Sequence, residues 1–171
     1  ICTSVYSAII NAKKKSEKLY YARIQKLNDI MVWISVAIAI PVTFLSDQII
    51  ELLFGSQYSE AGSVLMIHIW SGVFVFLAVA NERWIICENL QKFLAMNTII
   101  AAIVNIGLNY ILIPKFGIEG AAWATLISYC IAGYLCLLIW KKTRTSFINL
   151  TKSLLFITLF KKKYRWNIKQ N

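Results

Sequence analysis

The chain has 171 residues, 58% of them hydrophobic and only 15% charged, with a formal net charge of +10. An average soluble domain is about 45–50% apolar and about 25% charged, so the composition excludes an ordinary soluble globule, a disordered tail and a secreted disulfide scaffold. High hydropathy with strong basicity, the cations clustered beside apolar blocks, fits a membrane protein rather than a nucleic-acid binder.

The chain opens on Ile1 with an apolar stretch and no basic region ahead of it, so no signal peptide is read there. Residues 1–12 are expected to be the cut end of an earlier span, and the chain the C-terminal piece of something longer. Residues 16–29 follow with Tyr20, Ile24, Leu27 and Met31 on one helical stripe among cations. This pattern is expected to lie on the membrane surface. Cys2, Cys87, Cys130 and Cys136 have no metal-binding spacing and read as small buried hydrophobes.

A bilayer core takes about 20 apolar residues of helix. Four blocks meet that length: 30–50, 61–80, 93–113 and 118–140. The expected fold class is all-α, a polytopic bundle of four full transmembrane helices plus the truncated preceding one and interfacial helices. The first block carries Pro41, expected to kink it by removing a bond to the carbonyl of Ala37. The second carries the single histidine, His68, with Ser71 and Gly72 on the same face. An ionisable residue within a span is a candidate site, against the plainer reading of a packed neutral imidazole. At the end of this block Glu82 and Arg83 read as an interfacial pair or anchor, Arg83 alternatively meeting a phosphate. Glu82 and Glu88 otherwise stand alone in a short loop.

The third block carries Asn97, Asn105 and Asn109, spaced to share nearly one face. Amides avoid lipid because an unsatisfied polar group there costs several kcal/mol. They are expected either to bond neighbouring helices or to wall a polar cavity suited to sugar hydroxyls. Pro114 is expected to end this block, Gly117 to supply the positive φ of a tight turn, and Glu119 to sit at the favourable start of the next helix. The fourth block has a small-residue stripe, Gly120, Ala124, Ser128 and Ala132, of the kind that lets helices approach closely. Its plain reading is a packing face; a substrate-lining face is the alternative. Residues 147–160 are too short to span comfortably and contain Lys152, so they are expected to lie at the interface, with a short extra bundle helix as the alternative. Basic runs at 141–144 and 161–165 bracket them.

Short connections make successive spans antiparallel, so alternate loops share a side. Seventeen of the eighteen Lys and Arg residues fall on the side of 11–29, 81–92 and the tail; Lys115 alone falls on the other. The bias places the C-terminus in the cytoplasm. The chain thus divides into 1–29 (end of a span and basic linker), 30–140 (four-helix portion) and 141–171 (basic tail with an interfacial helix). Metal clusters, phosphate loops, nucleophile elbows and paired intramembrane carboxylates are not found in the sequence. No catalytic residue, metal or cofactor is expected, and the protein is read as not an enzyme.

Residues 18–140 resemble the C-terminal helices of Wzx-like O-antigen and capsule repeat-unit flippases, within the multidrug/oligosaccharidyl-lipid/polysaccharide exporter superfamily. The resemblance rests on Leu52-Leu53-Phe54-Gly55-Ser56-Gln57-Tyr58 followed by Glu60-Ala61, on Asn105-Ile106-Gly107-Leu108-Asn109, and on Ile113 through Thr125. It implies about a dozen helices in two lobes, and alternating access that carries an undecaprenyl-pyrophosphate-linked oligosaccharide across the bacterial inner membrane. It implies a lipid-linked oligosaccharide and polysaccharide-assembly proteins as partners; the basic segments are expected to meet anionic lipids. Cavity cations expected of such flippases are missing from these four blocks, apart from Arg83 at a rim. Two other classes remain: a related exporter (a drug antiporter or a peptidoglycan-precursor flippase), and a membrane glycan polymerase or ligase. The short outer loops count against the last.

Overall fold

A computed structural model describes residues 2–155, with side chains from residue 9 onward. Among these the secondary structure is entirely helical: α1 (Cys2–Lys15), α2 (Glu17–Phe54), α3 (Ala61–Cys87), α4 (Gln91–Gly133) and α5 (Arg144–Leu154). Short 3-10 turns occupy Ser56–Tyr58 and Leu135–Leu138. Three helical stretches are long and apolar enough to cross a membrane: Glu17–Phe54, Ala61–Cys87 and Gln91–Leu138. Residues 156–171, with the basic run at 161–165 and the end of the expected interfacial segment, lie outside the described residues.

α2 and α3 are antiparallel neighbours in fixed register. Trp70 Nε1 donates to Thr43 Oγ1 at 3.1 Å. Further along, Gly62 lies against Asp47, whose side chain would have to move to admit a methyl group there. Pro41 lies exposed inside α2, which runs unbroken through it for 38 residues. The expected kink therefore does not interrupt the helix.

α4 is two arms folded against each other. Gly117 has φ 58 and ψ −137, values outside the helical region. A Cβ built on Gly120 would lie 2.4 Å from the Leu112 carbonyl oxygen. Eight residues of straight helix separate two positions by about 12 Å, so this approach requires the chain to reverse at Gly117. Pro114 does not end the first arm as expected. It sits inside helical backbone, and the break falls three residues later. Proline removes one bond and crowds one carbonyl, which a helix in its final turn tolerates; glycine alone adopts the positive φ cheaply. Gly133, at the end of the second arm, meets α3, where an added Cβ would lie 3.0 Å from the Phe74 carbonyl oxygen.

Two apolar cores hold the bundle. One joins Ile9 and Ala12 of α1, Tyr20, Ile24 and Leu27 of α2, and Ala80, Trp84 and Ile85 of α3. The stripe Tyr20, Ile24, Leu27 and Met31, expected at the membrane surface, is thus largely covered by protein, and its segment continues without a break into the first apolar block. The second core joins Val32 and Ala39, Val73 and Leu77, Leu137 and Leu150. Leu150 brings α5 onto the bundle, so α5 is a docked helix on one of its faces.

Candidate functional site

The polar groups of the chain gather in three places. The first is the end of the bundle where α1 stops, α2 starts and α3 passes to α4. Lys13 Nζ donates to the Cys87 carbonyl at 2.7 Å and forms an ion pair with Glu88 Oε1 at 2.9 Å. Tyr20 OH donates to the same carboxylate oxygen at 2.7 Å. Burial raises the Glu88 pKa, but the Lys13 and Tyr20 hydrogen bonds and the Lys13 charge outweigh it and hold the group below its ordinary value. Glu88 therefore does not stand alone in its loop, as its sequence neighbours suggested. It pins a segment 75 residues away. The lysine also closes the C-terminal end of α3, where a cation is favoured by the helix dipole.

The second is a polar layer between the two apolar cores. Gln25 Nε2, with two hydrogens, is shared among three acceptors: Asp29 Oδ1 at 3.0 Å, the Asn149 carbonyl at 3.0 Å and Ser153 Oγ at 2.7 Å. Ser153 Oγ donates to Asp29 Oδ1 at 2.6 Å. Ser146 Oγ donates to Asn81 Oδ1, and Tyr134 OH shares a hydrogen bond with Thr151 Oγ1 at 2.8 Å. These bonds tie α5 to α2, to α3 and to the end of α4. Asn28 lies in the same stretch of α2, 0% exposed, and neither atom of its amide has a partner. Sequence reading missed this layer. Its trace was the pair Ser146 and Ser153, seven residues apart and so on one face of the helix, with Leu150 between them.

The third is the asparagine row of α4. Asn97 is 8% exposed and its Oδ1 is buried without a partner. Asn109 Nδ2 donates to Asn105 Oδ1 at 2.9 Å, leaving Asn109 Oδ1 buried and unpaired. The structure joins Asn105 to Asn109; no bond joins Asn97 to either. His68 is exposed on α3, and only its backbone carbonyl is engaged, by Ser71 Oγ at 2.6 Å. Arg83 is half-buried with Nε unpaired. Glu82 and Arg83 do not form the expected pair among the described residues; adjacent residues on a helix point to different faces. Of the turn residues, Gly117 and Gly120 carry the reversal, while Pro114 and Pro41 lie within helical backbone.

Chemically, these helices offer hydrogen-bonding amides, the half-buried Arg83 guanidinium and an exposed imidazole among mostly apolar side chains.

Comparison with known proteins places this arrangement in a family. The family model described as lipid II flippase MurJ matches residues 1–165, and the chain belongs to that family. Over 101 residues it is 35% identical to a protein of Haloferax volcanii named probable low-salt glycan biosynthesis flippase Agl15. That match covers 57% of this chain and 21% of the relative, so the chain corresponds to about a fifth of that protein's length. No solved structure matches. Family and relative are both flippases, so the protein is a multi-pass membrane protein of a transporter family and not an enzyme. They establish a lipid-linked flippase family, which is broader than the Wzx-like group that the sequence motifs resemble.

Proposed function

We propose that this chain is the C-terminal part of a flippase that carries a saccharide linked to a polyprenyl pyrophosphate across the inner membrane by alternating access. The family match over residues 1–165 is the observation that carries this reading. The undecaprenyl-pyrophosphate-linked polysaccharide repeat unit is our first cargo, supported by the glycan-biosynthesis relative. A peptidoglycan precursor is the second, favoured by the family's own description.

In this reading the two arms of α4 cross the membrane separately. Spans 30–50, 61–80, 93–113 and 118–140 then make four crossings, and the basic end lies in the cytoplasm. Asn97, Asn105 and Asn109 lie beside the cargo path. The Oδ1 atoms of Asn97 and Asn109 are buried and unpaired in this state, and meet sugar hydroxyls, which are donors, once the lobes move apart. Arg83, with an unpaired N–H at the cytoplasmic end, meets the pyrophosphate. His68 faces outward toward the part of the transporter that precedes this chain. Rocking of one lobe against the other exposes the path to each leaflet in turn. The 171 residues alone do not transport, because the opposing lobe is needed to close the path.

The test is depletion of the complete reading frame in its own cell, followed by extraction of lipid-linked saccharides. Accumulation of an intermediate facing the cytoplasm, reversed by the intact gene, is the expected result. The saccharide on that intermediate decides between the two cargoes. Unchanged lipid-linked pools would sink the proposal.

A further inference from the structure

The outer face of α5 has no role in the polar layer, yet it is patterned. Inward, α5 presents Ser146, Leu150 and Ser153, all buried. Outward it presents Arg144, Ile148, Lys152 and Leu155, all exposed, alternating cation and aliphatic along one stripe. Arg144 donates Nε–H to the Leu138 carbonyl at 3.2 Å, which fixes its guanidinium beside the last turn before the helix. Leu138 and Ile139 are exposed apolar residues, and after Trp140 comes the exposed pair Lys141 and Lys142. The chain therefore passes from an apolar girdle to cations within four residues, and α5 begins at that boundary. Phe93 packs edge-on against Trp140, with ring centres 5.0 Å apart, which brings exposed Lys92 to the same rim. Lys14, Lys15 and Lys18, exposed at the junction of α1 and α2, belong to this end as well.

We infer that α5 is held between two partners: its serine face grips the bundle, and its Arg144, Ile148, Lys152 and Leu155 face, continued by Lys141 and Lys142, docks on the headgroups of an anionic phospholipid leaflet. Charge complementarity and position select this occupant. Aliphatic side chains placed between cations suit an interface in which the chains dip below the phosphates and the cations stay at their level. Each cation near such a leaflet contributes about 1 kcal/mol, or about fivefold in affinity. The inference needs a membrane protein with this fold and does not depend on the cargo.

The test uses the complete protein in nanodiscs of phosphatidylcholine with or without phosphatidylglycerol, reading amide hydrogen exchange over residues 141–155. Protection that rises with phosphatidylglycerol is expected. Lys142→Gln with Lys152→Gln should weaken that dependence, by about 25-fold in affinity if the two lysines act independently. Lys142→Arg with Lys152→Arg should retain it. Both lysines are exposed, so the bundle keeps its packing in either variant. Equal protection in neutral discs, or unchanged protection in the glutamine pair, overturns the inference. Equal protection by soluble glycerol phosphate added to neutral discs also overturns it, because the face would then be a free-anion site.

Discussion

Gly120 lies directly against the backbone of Leu112: a Cβ on Gly120 would sit 2.4 Å from the Leu112 carbonyl oxygen and 2.6 Å from its carbon. Backbone atoms at that range cannot rotate away as a flexible side chain would. Gly120→Ala should therefore pry the arms of α4 apart and cost about 2–3 kcal/mol, in the range of overpacked interiors. Gly107 is the internal control, since a methyl group added there would meet nothing within 4 Å. Gly107→Ala should be neutral or add up to ~1 kcal/mol through helix propensity. Thermal unfolding of the complete protein in detergent reads both.

The Lys13–Glu88 pair sets a pH dependence. The folded-state pKa of Glu88 lies below its ordinary value of 4.5. Its contribution is then present above that ordinary value and is lost as pH falls through the lower, folded one. The side chains are 42% and 29% exposed, so solvent screens the pair and its worth is under ~1 kcal/mol. Glu88→Gln should flatten the loss of stability on acidification below pH 4.5 and leave the neutral-pH melting temperature nearly unchanged. A steeper acid transition in the variant would contradict the assignment.

Two buried amides of α2 and α3 should respond in opposite ways. Asn28 has neither polar atom paired, so Asn28→Leu removes a desolvation cost and should raise the melting temperature. Asn81 accepts from Ser146, and Asn81→Leu leaves that buried hydroxyl without its acceptor. The cost should be about 1–3 kcal/mol, with faster hydrogen exchange across α5. Destabilisation by Asn28→Leu would mean that its amide is satisfied by a buried water.

Asn97→Leu and Asn109→Leu should each lower export of the lipid-linked saccharide in cells carrying the complete gene. Loss of one hydrogen bond to cargo, about 1 kcal/mol, corresponds to about fivefold. Asn97→Gln, which keeps an acceptor, should retain more export than the leucine variant. Equal export at equal protein abundance would remove these residues from the path.

Much of the fold is legible in the sequence because a membrane helix writes its length and breaks directly into it. The apolar block 61–80 lies within α3, and Gly117 makes the turn that its neighbours demand. The stripe of Tyr20, Ile24, Leu27 and Met31 misleads for a physical reason. An apolar helix face looks the same whether lipid or another helix covers it, and here Ala80, Trp84 and Ile85 do. The bond from Lys13 to Glu88 joins segments whose pairing has no local signature. The asparagines are visible as polar residues in apolar surroundings, but not the division of labour by which Asn105 accepts from Asn109 while the Oδ1 atoms of Asn97 and Asn109 are left unpaired.

The reversal at Gly117 also bears on how the protein reaches its membrane. The arms of α4 meet at Gly117 with no loop between them, and Lys115 and Glu119 are the full charges beside it. An inserting chain that places the arms as a hairpin has almost no polar loop to carry across, and the second arm enters already packed on the first. Lengthening this turn would add translocation work and separate the two insertion events. In a chain whose arms cross the membrane separately, the closeness of Gly120 to Leu112 would also bear on how they insert.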